Sequence, residues 1–245
     1  MKNLITKEEK DIIDSICKEH DIVKYSINSD GSIDVNGNVK LYDHSLSEFP
    51  INFGKVSGSF DCSYNDLLSL IGSPHSVGGD FNCGHNELTS LIGAPKYIKG
   101  AFSCIGNSIT TLENGPTKVD FGYYCYDNNS LTSLIGAPEF IGGDFMFGSI
   151  NLVDLMGVPA YVGRDFICLL SPKLTSGYMG ETDMYLGGDF NIEKANLPFL
   201  YTNNLKLHQE LILKYQRYFM VWNEDHTFNE ENFQILLDEI KDGLE

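Results

Sequence analysis

Apolar residues recur along this chain with a period of about 21 residues. Phe60, Phe81, Phe102, Tyr123, Phe145 and Phe166 stand 21, 21, 21, 22 and 21 positions apart. Two residues after each comes Cys62, Cys83, Cys104, Cys125, Phe147 or Cys168. Val39 and Leu41 fit the frame upstream, and an irregular copy ends at Phe190. Other apolar columns run in phase, one of them through Val56, Val77, Ile98, Val119, Ile141 and Val162. Leu67, Leu88, Ile109, Leu131 and Leu152 form another, and Leu70, Leu91, Leu112, Leu134 and Leu155 the next. Gly72, Gly93, Asn114, Gly136 and Gly157 mark a point where the backbone needs a positive φ, which Gly tolerates best and Asn next. One such coil cannot bury its own apolar residues, whereas stacked coils can. The period predicts a mainly β solenoid of about seven coils.

Each copy reads Phe-x-Cys-x-x-Asn-x-Leu-x-x-Leu, which resembles the second half of a leucine-rich repeat. The resemblance implies a ladder of buried Asn amides, at Asn65, Asn86, Asn107 and Asn129, bonding backbone groups that the turns leave unpaired.

Solenoid ends need caps. Thr6-Lys7-Glu8-Glu9 is a capping box opening a helix whose apolar face carries Ile12, Ile13 and Ile16. Residues 26–36 read as a hairpin around Asp30-Gly31. Residues 206–220 read as a helix. A second helix follows Asn229, a good N-cap, with Phe228 placed to staple onto Phe233. The expected organisation is a cap over 1–36, a repeat solenoid over 37–194 and a helical cap over 195–245.

The chain carries 17 basic and 34 acidic residues, a formal charge of −17. That argues against direct nucleic-acid binding, which needs a basic footprint, and against an anionic membrane surface. No apolar run reaches the roughly 18 residues a membrane helix needs. Five of the six Cys share one inward column, and there is no C-x-x-C pair, so a core ladder is expected and no metal or other cofactor. Asp80, Asp144, Asp165 and Asp189 form a broken column. Stacked carboxylates can bind Ca²⁺, but Ser59, Ala101 and Gly122 interrupt the column, so it reads as a solvated acidic stripe. The six His are scattered without ligand spacing. No catalytic motif stands out.

The positions flanking the inward residues of each Phe-x-Cys strand face outward. In the middle coils they are Ile105, Tyr124, Tyr126, Met146, Ile167 and Leu169, with Asp144 and Asp165 on the rim. Exposed apolar clusters rimmed by charge mark interaction sites. The face is expected to bind a partner, with burial under the C-terminal helices or against a second copy of the chain as the alternatives.

Leu-Thr-Ser-Leu-Ile-Gly-Ala-Pro at 88–95 and again at 131–138, and Phe-Gly-Lys-Val-Ser-Gly-Ser-Phe-Asp-Cys at 53–62, are similar to repeat proteins of tailed bacteriophages. So are Leu-Lys-Tyr-Gln-Arg-Tyr at 213–218 and the closing helix. The resemblance implies a phage product in the host cytoplasm. The function expected is non-enzymatic: binding, and inhibiting, a host defence or toxin protein, with a nucleic-acid-directed enzyme fitting the acidic surface. The alternative is an accessory component of the virion.

Overall fold

A computed structural model describes residues 5–192 and 194–244. The chain forms a β-solenoid of about eight coils with helices at its ends. Helix α1 (Lys7–Glu19) opens on the expected capping box: Thr6 accepts from Glu9 N–H while Glu9 bonds back to the Thr6 backbone. Ile13 and Cys17 are its buried residues. Strands Tyr25–Ile27 and Ile33–Val35 then pair as an antiparallel hairpin.

From there every pairing between coils is parallel. One sheet of nine strands starts with that hairpin and continues through Phe53–Val56, Ser76–Val77, Tyr97–Ile98, Lys118–Val119, Phe140–Ile141, Tyr161–Val162 and Tyr185–Leu186. The other has eight strands: Val39–Lys40, Phe60–Asp61, Phe81–Asn82, Phe102–Ser103, Tyr123–Cys125, Phe145–Phe147, Phe166–Cys168 and Phe190–Ile192. Those eight make one coil more than expected, because Val39–Lys40 and Phe190–Ile192 both pair in full. We call these the first and second sheets.

Period-two alternation turns the Phe and Cys columns inward and the residue between them outward. Phe60, Phe81, Phe102, Tyr123, Phe145 and Phe166 are all fully buried. Phe60 stacks on Phe81 at 5.5 Å and Phe81 on Phe102 at 5.8 Å. All six Cys are buried as free thiols. Burial pushes the thiols of Cys62, Cys83, Cys104 and Cys125 far above their ordinary pKa, so they remain protonated, inert core residues.

A buried Asn stitches the corner in four successive coils. Asn86 Nδ2 donates to the carbonyls of Cys62 (3.0 Å) in the preceding coil and Cys83 (3.1 Å) in its own, and its Oδ1 accepts from Leu67 N–H (3.0 Å). Asn65 and Asn107 repeat the pattern. In the fourth copy the ladder residue is Asn128, not Asn129: Asn128 bonds the carbonyls of Cys104 and Cys125 and is fully buried, while Asn129 is exposed. The reason is spacing. The amide must stand three residues past the inward Cys to reach both carbonyls, so the extra residue of this copy is accommodated after it. The residue before each ladder Asn takes a left-handed φ, as at Tyr64 (54°), His85 (54°), Gly106 (66°) and Asp127 (57°). The positive φ expected at Gly72, Gly93, Asn114, Gly136 and Gly157 is present, from 66° to 96°.

At the far end, α2 (Phe199–Tyr215) begins seven residues before the expected helix and closes before residue 220, with non-helical backbone at His208. At its end the side chain of Gln216 turns inward. Its Oε1 accepts from Tyr201 Oη (2.7 Å) and Trp222 Nε1 (3.0 Å), both buried. Gln209 of α2 faces the last coil, accepting from Phe190 N–H (2.7 Å) and donating to the Gly188 carbonyl (2.8 Å). Helix α3 (Glu230–Lys241) is capped by Asn229, and Phe228 meets Phe233 edge-on at 5.4 Å.

Candidate protein-binding face

The outward row of the second sheet runs in strict register through Lys40, Asp61, Asn82, Ser103, Tyr124, Met146, Ile167 and Asn191. Tyr124, Met146 and Ile167 are therefore immediate neighbours on three adjacent strands. Ile105, Tyr126 and Leu169 lie just beyond the Cys column. Ile105 and Tyr126 stand in successive coils, whereas Leu169 is set apart by Gly148, where the Leu169 backbone fills the space a side chain would take. All six apolar residues are half-buried. The row is polar from Lys40 to Ser103, apolar or aromatic through Tyr124, Met146 and Ile167, and polar again at Asn191.

Two features differ from the expectation. Tyr124 is engaged by its own coil: its phenol lies against Gly122, where any side chain would collide with it. The ring thus fills the gap that Gly122 leaves in the polar column. Its hydroxyl pKa is raised by burial first and by the negative field of Asp144 next. The acidic column, second, is not a free solvated stripe. Asp144 Oδ1 accepts from Asp165 N–H (3.2 Å), Asp165 Oδ1 from Asp189 N–H (3.0 Å) and Asp80 Oδ1 from Ala101 N–H (2.8 Å). Asn38 and Ser59 do the same in the two coils before Asp80. Each side chain caps the backbone of the next coil, a charge-assisted bond where the residue is Asp. The carboxylates still border the patch with negative charge. Arg164 reaches Asp144 at 3.5 Å, but as a largely exposed pair it adds little.

The sequence reading missed the outer face of the first sheet. There Lys55, Ser76, Tyr97, Lys118, Phe140, Tyr161 and Tyr185 form one row in register. The signal was present: this column stands one residue before the inward Val56, Val77 and Ile98 series. Ile71, Ile92 and Ile135, inside the Leu-Ile-Gly turns, are exposed on the remaining side.

Histidines make contacts with residues distant in sequence in three places. His20 and His44 share an Nδ1–Nδ1 contact of 3.0 Å, Tyr64 stacks on His85 at 4.4 Å, and His226 Nδ1 bonds Asp154 at 2.8 Å. The last contact ties the segment before α3 to the solenoid. Among the described residues no three His, Cys, Asp or Glu are gathered as metal ligands. No family model matches the chain, and neither a curated protein nor a solved structure matches it.

Proposed function

We propose that the protein acts by binding another protein through the outer face of the second sheet, and that it works without chemical turnover. The observation that carries this reading is the in-register row Tyr124–Met146–Ile167, half-open to solvent and bordered by Asp144 and Asp165. A rigid stack of parallel strands fixes these side chains relative to one another, so a partner meets a preorganised surface and less side-chain freedom is lost on docking. The acidic border and the net charge of −17 select a basic partner and speed its encounter. In the phage setting the sequence resembles, that partner is a host defence or toxin protein, and the basic groove of a nucleic-acid-directed enzyme fits the charge. Binding there makes the protein an inhibitor.

The test is photocrosslinking from position 146 in infected cells, with a crosslinker at exposed Lys173 as control. One basic protein crosslinked from 146 alone, and lost in the Met146→Asp and Ile167→Asp variants, supports the reading. A crosslink to a second copy of the same chain replaces it with self-association. A crosslink to structural proteins of the particle replaces it with a virion role.

A further inference from the structure

The outward row of the first sheet has a rule of its own. Where successive coils carry rings, the rings stack: Phe140 on Tyr161 at 4.8 Å and 9°, Tyr161 on Tyr185 at 4.8 Å and 13°. Lys118 takes a ring's place between Tyr97 and Phe140, its ammonium 5.4 Å and 5.1 Å from their centroids. That is a cation–π contact on both sides. One face of Tyr97 is thereby used. Across its other face, one coil back and in register, stands Ser76, and one coil further back stands Lys55. Ser76 is too short to stack. It leaves, beside Tyr97, a place of the same kind that Phe140 fills beside Tyr161.

That place opens into a groove of about 720 Å³, within the size range of small-ligand sites. Lys24, Lys55 and Lys99 line it, with Gly78 adding no side chain. Among the described residues none of these three Lys makes an ion pair within 4 Å, although the chain carries 34 acidic residues. Lys99 also departs from the repeat. Gly78, Gly142, Gly163 and Gly187 hold the equivalent position, where the carbonyl of the preceding coil fills their Cβ space, and Ser57 and Asp120 depart from it as Lys99 does. Asp34, the carboxylate on the wall, is tied to Lys55 N–H (2.7 Å) and Asn28 Nδ2 (3.1 Å).

We propose that this groove binds a small ligand made of a flat ring and a phosphate, the nucleotide class: the ring stacks on the free face of Tyr97 above Ser76, and the phosphate meets Lys55, Lys99 and Lys24. Stacking of a base on an aromatic side chain is sequence-tolerant, because every base has a π-face. Lys supplies a point charge suited to a terminal phosphate. The molecule's net charge of −17 favours a small ligand over a polymer. Screening confines the groove's field to about 8 Å at physiological salt, so a mononucleotide feels the local lysines while a long nucleic acid also meets the acidic remainder.

Calorimetric titration of the full chain with AMP, GMP, CMP and UMP, and with inorganic phosphate, tests this. At least one nucleotide is expected to bind at one site per chain, with phosphate alone at least about tenfold weaker. Ser76→Tyr puts a ring where the row already accepts one at Tyr161, so it should leave melting unchanged or raised and weaken the nucleotide at least about tenfold. Lys55→Gln with Lys99→Gln should weaken it as much. No saturable nucleotide binding below about 1 mM overturns the proposal. Binding that Ser76→Tyr leaves intact overturns it too, as does phosphate binding as tightly as the nucleotide.

Discussion

Tyr123 is the one ring in its column that carries a hydroxyl, and that hydroxyl is buried without a hydrogen-bond partner among the described residues. Its neighbours above and below, Phe102 and Phe145, pack at 4.8 Å and 5.8 Å through ring atoms that Phe also has. Burial raises the hydroxyl's pKa well above its usual value, so it stays neutral. Tyr123→Phe therefore removes only a desolvated, unpaired oxygen, a group that costs about 1–3 kcal/mol when left unsatisfied. The oxygen also fills space near Gly115, 3.5 Å from where a side chain there would begin. Emptying that space costs roughly 0.5 kcal/mol, which offsets part of the gain. The net expectation is a gain of about 0.5–2.5 kcal/mol, a rise of about 2–4 °C in Tm for each kcal/mol in a domain of this size. Urea titration followed by far-UV circular dichroism reads it as a higher midpoint at unchanged slope. Tyr201→Phe is the opposite control. That hydroxyl donates to Gln216 Oε1 at 2.7 Å, and its loss should cost about 0.5–1.5 kcal/mol. A lowered midpoint for Tyr123→Phe, or equal shifts for both variants, would refute the reasoning: the Tyr123 oxygen would then be making a bond worth keeping.

Asn128→Ala should cost about 1–3 kcal/mol and Asn129→Ala almost nothing, because only the former leaves buried carbonyls unpaired; matched urea midpoints for the two would mean the ladder frame is wrong. Gln209→Ala should bare the edge of the last coil, where its amide now pairs Phe190 N–H and the Gly188 carbonyl, and turn the protein towards concentration-dependent association visible by light scattering. The stack should also be alkali-labile. Burial holds the thiols of Cys62, Cys83, Cys104 and Cys125 well above their usual range and pushes Cys168 to about 11, whereas in the unfolded chain all ionise near 8.5. The raised folded pKa means this stability is complete below about pH 8.5 and lost above it, at up to about 1.4 kcal/mol per pH unit for each thiol; Cys104→Ala should flatten the fall, and a pH-independent midpoint from 8 to 10 would contradict it.

What was legible in the sequence was whatever the interior dictates. A residue facing a stacked core has neighbours on all sides, so the Phe and Cys columns keep their types and their period survives in the sequence. The Gly and Asn positions at positive φ are equally readable, since few residue types tolerate that backbone. Thr6 with Glu9, Asn229, and Phe228 with Phe233 were readable because capping is local chemistry. The misreadings have physical causes. Asn128 and Asn129 are adjacent, and only the three-residue reach from Cys125 distinguishes them. Tyr64 and His85 hold left-handed φ without being Gly, because the amide of the next Asn holds the carbonyls on either side of the turn. The start of α2 at Phe199 was obscured because its first turns lack a clean apolar stripe. The bonds made by Asp144 and Asp165 were invisible because they join backbone of one coil to side chain of another, a relation no single repeat displays.

The same asymmetry explains why function must be read from the outside rows. Inside, a change of residue type opens a cavity or strands a polar group, so seven of the positions in each coil are held nearly constant. Outside, a residue is constrained only by its two neighbours in the row, and the row can change character from coil to coil. The second sheet does so at Tyr124, where Ser103 gives way to Tyr, Met and Ile in succession. The first sheet does so twice, when Lys55 and Ser76 precede Tyr97 and when Lys118 enters among rings. Neither change improves the core, and the two are opposite in charge: carboxylates border the Tyr124 row, while Lys24, Lys55 and Lys99, without an ion pair within 4 Å among the described residues, line the slot beside Tyr97. These charges are what the proposals for a basic protein at one face and a small anion at the other rest on.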